Sequence, residues 1–77
     1  MNAQEKKVYY NRVRRTCAKH DIDIEYDGVP KCYMGVDLTK DGETLASHHA
    51  DNYLPLDINW KRLHEDLTVQ GLTGGIK

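Results

Sequence analysis

Ile22, Ile24 and Tyr26 alternate with Asp23, Glu25 and Asp27. That period of two is the signature of a half-buried strand. The stretch Lys31–His49 also reads as strand, folded about Asp41-Gly42. Asp-Gly suits the two central positions of a type I′ turn, where both residues need φ above zero. A turn placed there makes Lys40 face Glu43, an opposite-charge cross-strand pair. The same register sets Leu38 opposite Leu45 and Val36 opposite Ser47. Met34, Val36, Leu38 and Leu45 then share one face, and Tyr33, Gly35, Asp37, Ala46 and His48 take the other. Asp27-Gly28-Val29-Pro30-Lys31 reads as the loop between the first two strands, because Gly frees the backbone and Pro has no N–H to give a ladder. Pairing Tyr26 with Cys32 across that loop brings Ile24 to Met34 and Ile22 to Val36. The expected sheet is an antiparallel meander, apolar on one side and solvated on the other.

Two helical patterns flank it. Over residues 3–20 no Gly or Pro intervenes, and at 100° per residue Tyr9, Tyr10, Val13, Thr16, Cys17 and His20 gather on one side. Lys7, Arg12, Arg14, Arg15 and Lys19 fall on the opposite arc. After a connection over Asn52–Leu56, Asp57 is the expected N-cap of a helix spanning about 58–68, an acid at the positive end of its dipole. Leu56, Trp60, Leu63 and Leu67 form its stripe, with His64 at the margin. Thr68–Lys77, with Gly71, Gly74 and Gly75, reads as a mobile tail. The expected fold class is therefore α+β, in the order α-β-β-β-α, with both helices packed on one face of a three-stranded antiparallel sheet. All 77 residues form a single domain on this reading, with an ordered core of about 3–68 and a tail over 69–77. So small a core supplies a stability of roughly 3–5 kcal/mol.

The net charge of −1 conceals a strong separation. Residues 1–20 carry six bases against Glu5, a net +5. Residues 21–57 carry nine acids against Lys31 and Lys40, a net −7. Such asymmetry points to charged partners. No apolar run approaches the ~18 residues of a membrane span, and no apolar core follows the opening MNAQEKK, so a cytoplasmic location is expected. Two cysteines, Cys17 and Cys32, are too few for a disulfide scaffold and are expected as thiols.

The histidines and cysteines are the residues that could carry chemistry. Cys17, His20, Cys32 and His49 would make a tetrahedral zinc donor set, but one CxxH and two lone ligands match no standard zinc spacing, so no metal is expected. Neither cysteine has a nucleophile's context, and the tail glycines lack a Walker lysine. The expectation is no enzyme activity and no cofactor. Asp23, Glu25, Tyr33, Asp37 and His48 meet on the outer sheet face in this register. They form a candidate docking surface for a larger host protein with a basic surface.

The order helix, three strands, helix resembles the double-stranded-RNA-binding domain over nearly the whole chain. The resemblance implies an RNA surface made by the first helix, the loop between the first two strands and a Lys-rich start to the last helix. Here the first helix is basic, the loop lacks a histidine, and the last helix opens Asp57-Ile58-Asn59-Trp60-Lys61-Arg62, with acid where cations are expected. No RNA-contacting residue carries over. The layout and split charge also resemble small phage-encoded inhibitors of host defence or host transcription. The leading expectation is a non-enzymatic, inhibitor-type domain that blocks a basic nucleic-acid-binding surface with its acidic sheet face. The alternative is a direct nucleic-acid binder using Lys7, Arg12, Arg14, Arg15 and Lys19.

Overall fold

The computed structural model describes residues 2–29, 32–50 and 57–74. Helix α1 spans Ala3–His20. Asn2 starts it: its side-chain oxygen accepts the Glu5 N–H at 2.8 Å, satisfying one of the free donors of the first turn. Asp21 ends it in the left-handed region at φ 56°, and the Ile22 N–H reaches back to the Cys17 carbonyl at 2.8 Å. Val13, Thr16 and Cys17 are the buried positions, within the stripe expected from the sequence. The buried Thr16 hydroxyl donates to the Arg12 carbonyl at 2.9 Å, so its burial leaves no polar group unpaired.

Strands β1 (Asp23–Val29), β2 (Cys32–Lys40) and β3 (Glu43–His49) form one antiparallel sheet in the order β1-β2-β3. Helix α2 covers Trp60–Val69 and lies against both α1 and β3. This is the expected α-β-β-β-α layout. Val13 and Cys17 from α1, Leu63 and Leu67 from α2, and Val36, Leu38 and Ala46 from the sheet meet in one core with Ile22 and Ile58. Both helices thus cover the same sheet face.

Three local expectations are corrected. The cap of α2 is Asn59, whose side chain accepts the Arg62 N–H at 3.1 Å. Asp57 instead forms an ion pair with Lys6 of α1. An amide oxygen caps as well as a carboxylate, which leaves Asp57 available to the lysine.

The β1–β2 register is offset from the expected one. Tyr26 pairs with Val36 and Ile24 with Leu38, and β1 runs on to a Val29–Cys32 pair. Residues read as loop are therefore strand, joined by the Pro30-Lys31 connection, which lies outside the described residues. Because the offset is even, Ile24 and Tyr26 keep the inner face.

The β2–β3 register begins as expected, with Lys40 opposite Glu43, then slips by one residue. Leu38 pairs with Ala46 and Val36 with His48. Leu45 is the extra residue of a β-bulge, so every β3 side chain beyond it changes face.

Asp41 and Gly42 have φ 52° and 81°, the signs a type I′ turn requires. A Cβ at Gly42 would meet nothing within 4 Å, so a substitution there is opposed by backbone strain alone. Gly42→Val is expected to destabilise the fold by about 1 kcal/mol or more. Thermal melting checks this, and an unchanged midpoint would count against the turn.

Beyond α2, Gly71 adopts φ 76°, and the Leu72 N–H returns to the Leu67 carbonyl at 3.0 Å. Leu72 packs on the core, and its carbonyl lies 2.9 Å from His20 Nε2. Where a mobile tail was expected from the sequence, residues 70–74 make these contacts. Residues 75–77, like the Asn52–Leu56 connection and the Leu56 end of the α2 stripe, lie outside the described residues.

Candidate docking surface

The sheet face turned away from the helices carries Asp23, Glu25 and Asp27 from β1. Gly35, Asp37 and Thr39 stand opposite them on β2, and Ser47 and His49 on β3. Directly opposite residues share a face, so the pairing alone gathers the four carboxylates. Asp23, Glu25 and Asp27 are exposed, and Asp37 is half-buried. His49 sits among them. Its Nε2 lies 2.9 Å from Asp37 Oδ1, and its Nδ1 lies 3.9 Å from Asp27 Oδ2. The ring lies over Gly35: a Cβ there would come within 2.3 Å of Nδ1. Glycine makes the room that lets the imidazole reach both acids. The Thr39 hydroxyl donates to Glu25 Oε2 at 3.3 Å. Among the described residues, the paired positions of this face include no lysine or arginine between the Lys40–Glu43 tip and its far end.

Of the docking residues expected from the sequence, Asp23, Glu25 and Asp37 come together as anticipated. Tyr33 and His48 do not. Met34 is an extra residue where Asp27 pairs with Gly35 and Gly28 with Tyr33. That bulge turns Tyr33 inward, where its ring stacks on Tyr26 at 4.4 Å between centroids. His48 opposes the buried Val36, and its Nδ1 accepts the Asn59 N–H at 3.0 Å at the start of α2. The Leu45 bulge put it there and sent His49 to the outer face in its place. Asp27 and His49 were the members missed. The clue available was the pairing of polar Ser47 with Val36 in the simple register, a mismatch that one extra residue in β3 removes.

The basic residues of α1 are partly engaged within the fold. The Arg12 guanidinium sits 5.4 Å from the Tyr9 ring centre and that of Arg14 5.5 Å from Tyr10. Lys19 Nζ donates to the Gly74 carbonyl at 3.0 Å. His64, against Tyr9 at 5.6 Å between ring centres, is pushed below its ordinary value by burial and by the Arg12 charge.

On the helix side an open cleft of about 450 Å³ is walled by Tyr10, Tyr26, Tyr33 and Trp60. Lys6, Lys7 and Asp57 stand at its rim. Tyr10 meets Trp60 edge-on at 4.9 Å. Burial, with Tyr10 alongside, raises the Tyr26 phenol above its usual value. The cleft's volume falls within the ~300–1,000 Å³ range of ligand pockets. The cleft appears because both bulge-shifted Tyr33 and the start of α2 bring rings to one end of the inner face.

The residues weighed as zinc ligands are apart in function. Cys17 is buried in the core and Cys32 is exposed. His20 faces the Leu72 carbonyl and His49 the two aspartates. Among the described residues no group of three or more His, Cys, Asp or Glu side chains is arranged to hold a metal ion. Burial pushes the Cys17 thiol up to about 11, so at neutral pH it is neutral and shielded. In the native protein a thiol reagent is expected to label Cys32 within minutes and Cys17 only on unfolding. Mass spectrometry of the labelled chain distinguishes one adduct from two. The same shift gives a pH dependence. Above the ordinary thiol value of 9.0 the unfolded chain loses a proton that the folded chain keeps up to about 11. Cys17 stabilisation is thus complete below that window and is lost through it as pH rises.

No helix among the described residues is long and apolar enough to cross a membrane. No family model, curated protein or solved structure matches this chain. The likeness to the double-stranded-RNA-binding domain is therefore one of element order. What the structure defines is a small two-layer α+β domain with an acidic sheet face that neither helix covers.

Proposed function

We propose that this chain is a non-enzymatic protein-binding domain of the inhibitor type. Its outer sheet face docks on a basic, nucleic-acid-binding surface of a larger host protein and blocks it. The observation that carries this reading is the set Asp23, Glu25, Asp27 and Asp37 on the sheet face opposite the helices, with His49 among them. Alternate residues of a strand stand about 6.6 Å apart. The three β1 acids therefore form a linear row of anions, of the kind a phosphate-binding groove accepts. Such a face raises the association rate with a positive partner and repels negative ones. In support of this reading, both helices and the core they share with the sheet lie on the opposite side of it.

The second reading is direct nucleic-acid binding by Lys7, Arg12, Arg14, Arg15 and Lys19. The contacts of Arg12, Arg14 and Lys19 inside the fold weigh against it, since each gives those cations an internal partner. Retention on heparin separates the two. The acidic-face reading expects elution at or below physiological salt. Tight retention that falls steeply with salt would favour the basic helix, because phosphate contacts release counterions.

A further inference from the structure

The sheet has two edges, and they differ. On the β3 edge the Leu45 carbonyl accepts a hydrogen bond from Gln70 Nε2 at 2.7 Å, and α2 packs against the strand. Among the described residues no loop backbone bonds to β1 from its outward side. The turn shows which groups are involved. Lys40 and Glu43 close a two-residue turn and exchange both backbone bonds. Alternation along β2 then directs residues 35, 37 and 39 toward β1. The Met34 carbonyl, bonded to the Ala50 N–H at 2.8 Å on the β3 side, falls in the same alternation. Asp23, Glu25 and Asp27 pair with residues 39, 37 and 35. The N–H and C=O groups of Ile24 and Tyr26 therefore point to the open edge.

We infer that this edge is a strand-addition site for an extended peptide segment that alternates basic and apolar residues. The inference rests on the acidic-face reading and narrows its partner. A strand laid against β1 would place every second side chain beside Asp23, Glu25 and Asp27, where bases make favourable cross-strand pairs. Its intervening side chains would meet Ile24 and Tyr26 on the inner face. Tyr26 is 39% exposed, and its ring walls the aromatic cleft 6.4 Å from Trp60. An apolar side chain is thus offered a seat and a basic one a counter-charge, each in the register that a strand supplies. A second copy of this chain does not fit: two β1 edges side by side would set acids against acids.

The test is amide hydrogen exchange by NMR on the intact chain with a nine-residue peptide alternating lysine and valine. Two controls accompany it, the same peptide N-methylated at alternate residues and the protein variant Asp23→Lys/Glu25→Lys/Asp27→Lys. The expected result is slowing of exchange by about tenfold or more at Ile24 and Tyr26, abolished by N-methylation and by the variant. Binding that weakens in the variant, yet leaves Ile24 and Tyr26 unprotected and tolerates N-methylation, would overturn strand addition while sparing the acidic face. No binding at low salt, or binding indifferent to the variant's charges, would overturn strand addition and count against the acidic face as well.

Discussion

Leu38→Ala is expected to leave much of the chain unfolded at room temperature. Leu38 is fully buried, pairs with Ile24 and Ala46 across both neighbouring strands, and touches the core that α1 and α2 share. Truncating such a leucine costs about 2–5 kcal/mol, the lost transfer energy plus the cavity left behind. A core this size supplies roughly 3–5 kcal/mol in all. Urea titration followed by circular dichroism should therefore show a baseline already in transition without denaturant. Leu45→Ala is the informative partner. The simple alternating register would make Leu45 as inward as Leu38. As a half-buried bulge residue it is expected to cost about 1 kcal/mol, a partial burial's share. Equal losses at the two leucines would argue for the unbulged register.

Gly28→Ala is expected to be nearly as damaging, for a different reason. Gly28 has φ 116°, and a Cβ on it would lie 2.7 Å from the Cys32 carbonyl oxygen, with the Tyr33 Cα and Met34 N close behind. All three are backbone atoms of the opposing bulge, so no side chain can swing aside. Forbidden dihedrals alone cost about 1–3 kcal/mol, and the clash adds to that. Gly71→Ala is the control: φ is 76°, but nothing lies within 4 Å. Only the modest left-handed penalty of about 1 kcal/mol then applies. A drop at Gly28 no larger than at Gly71 would mean that the β1–β2 hairpin relaxes around the added carbon.

The layer architecture was legible because it depends on periodicity. The 3.6-residue stripe through Val13, Thr16 and Cys17 reappears as burial, and the alternation into β1 reappears in a buried Ile22 and a half-buried Ile24, while Tyr26 stays exposed at the end of the row. The turn was legible because Asp41-Gly42 meets a specific dihedral demand. The two bulges were not, since a bulge is a single unpaired residue whose favourable energy comes from the far side of the molecule. Leu45 is displaced so that Ala46 can sit against the helices and Gln70 can reach the strand edge. That one slip exchanged His48 for His49 on the outer face. The carboxylates of β1 survived because the offset there was even, which preserves faces while changing partners. Tyr33 was misplaced by Met34 in the same way, and with it the aromatic cleft went unseen.

Three forms of the chain separate an acidic docking face from a basic one. The intact chain, a sheet variant Asp23→Lys/Glu25→Lys/Asp37→Lys and a helix variant Arg12→Glu/Arg14→Glu/Arg15→Glu are each confirmed as folded by circular dichroism. Their association rates are then measured against the basic protein that the intact chain captures from host lysate. The expected result is a fall of about tenfold or more for the sheet variant, with most of the salt dependence lost, and little change for the helix variant. Abolished binding for the helix variant with unchanged binding for the sheet variant would contradict the acidic docking face and assign the function to the basic helix.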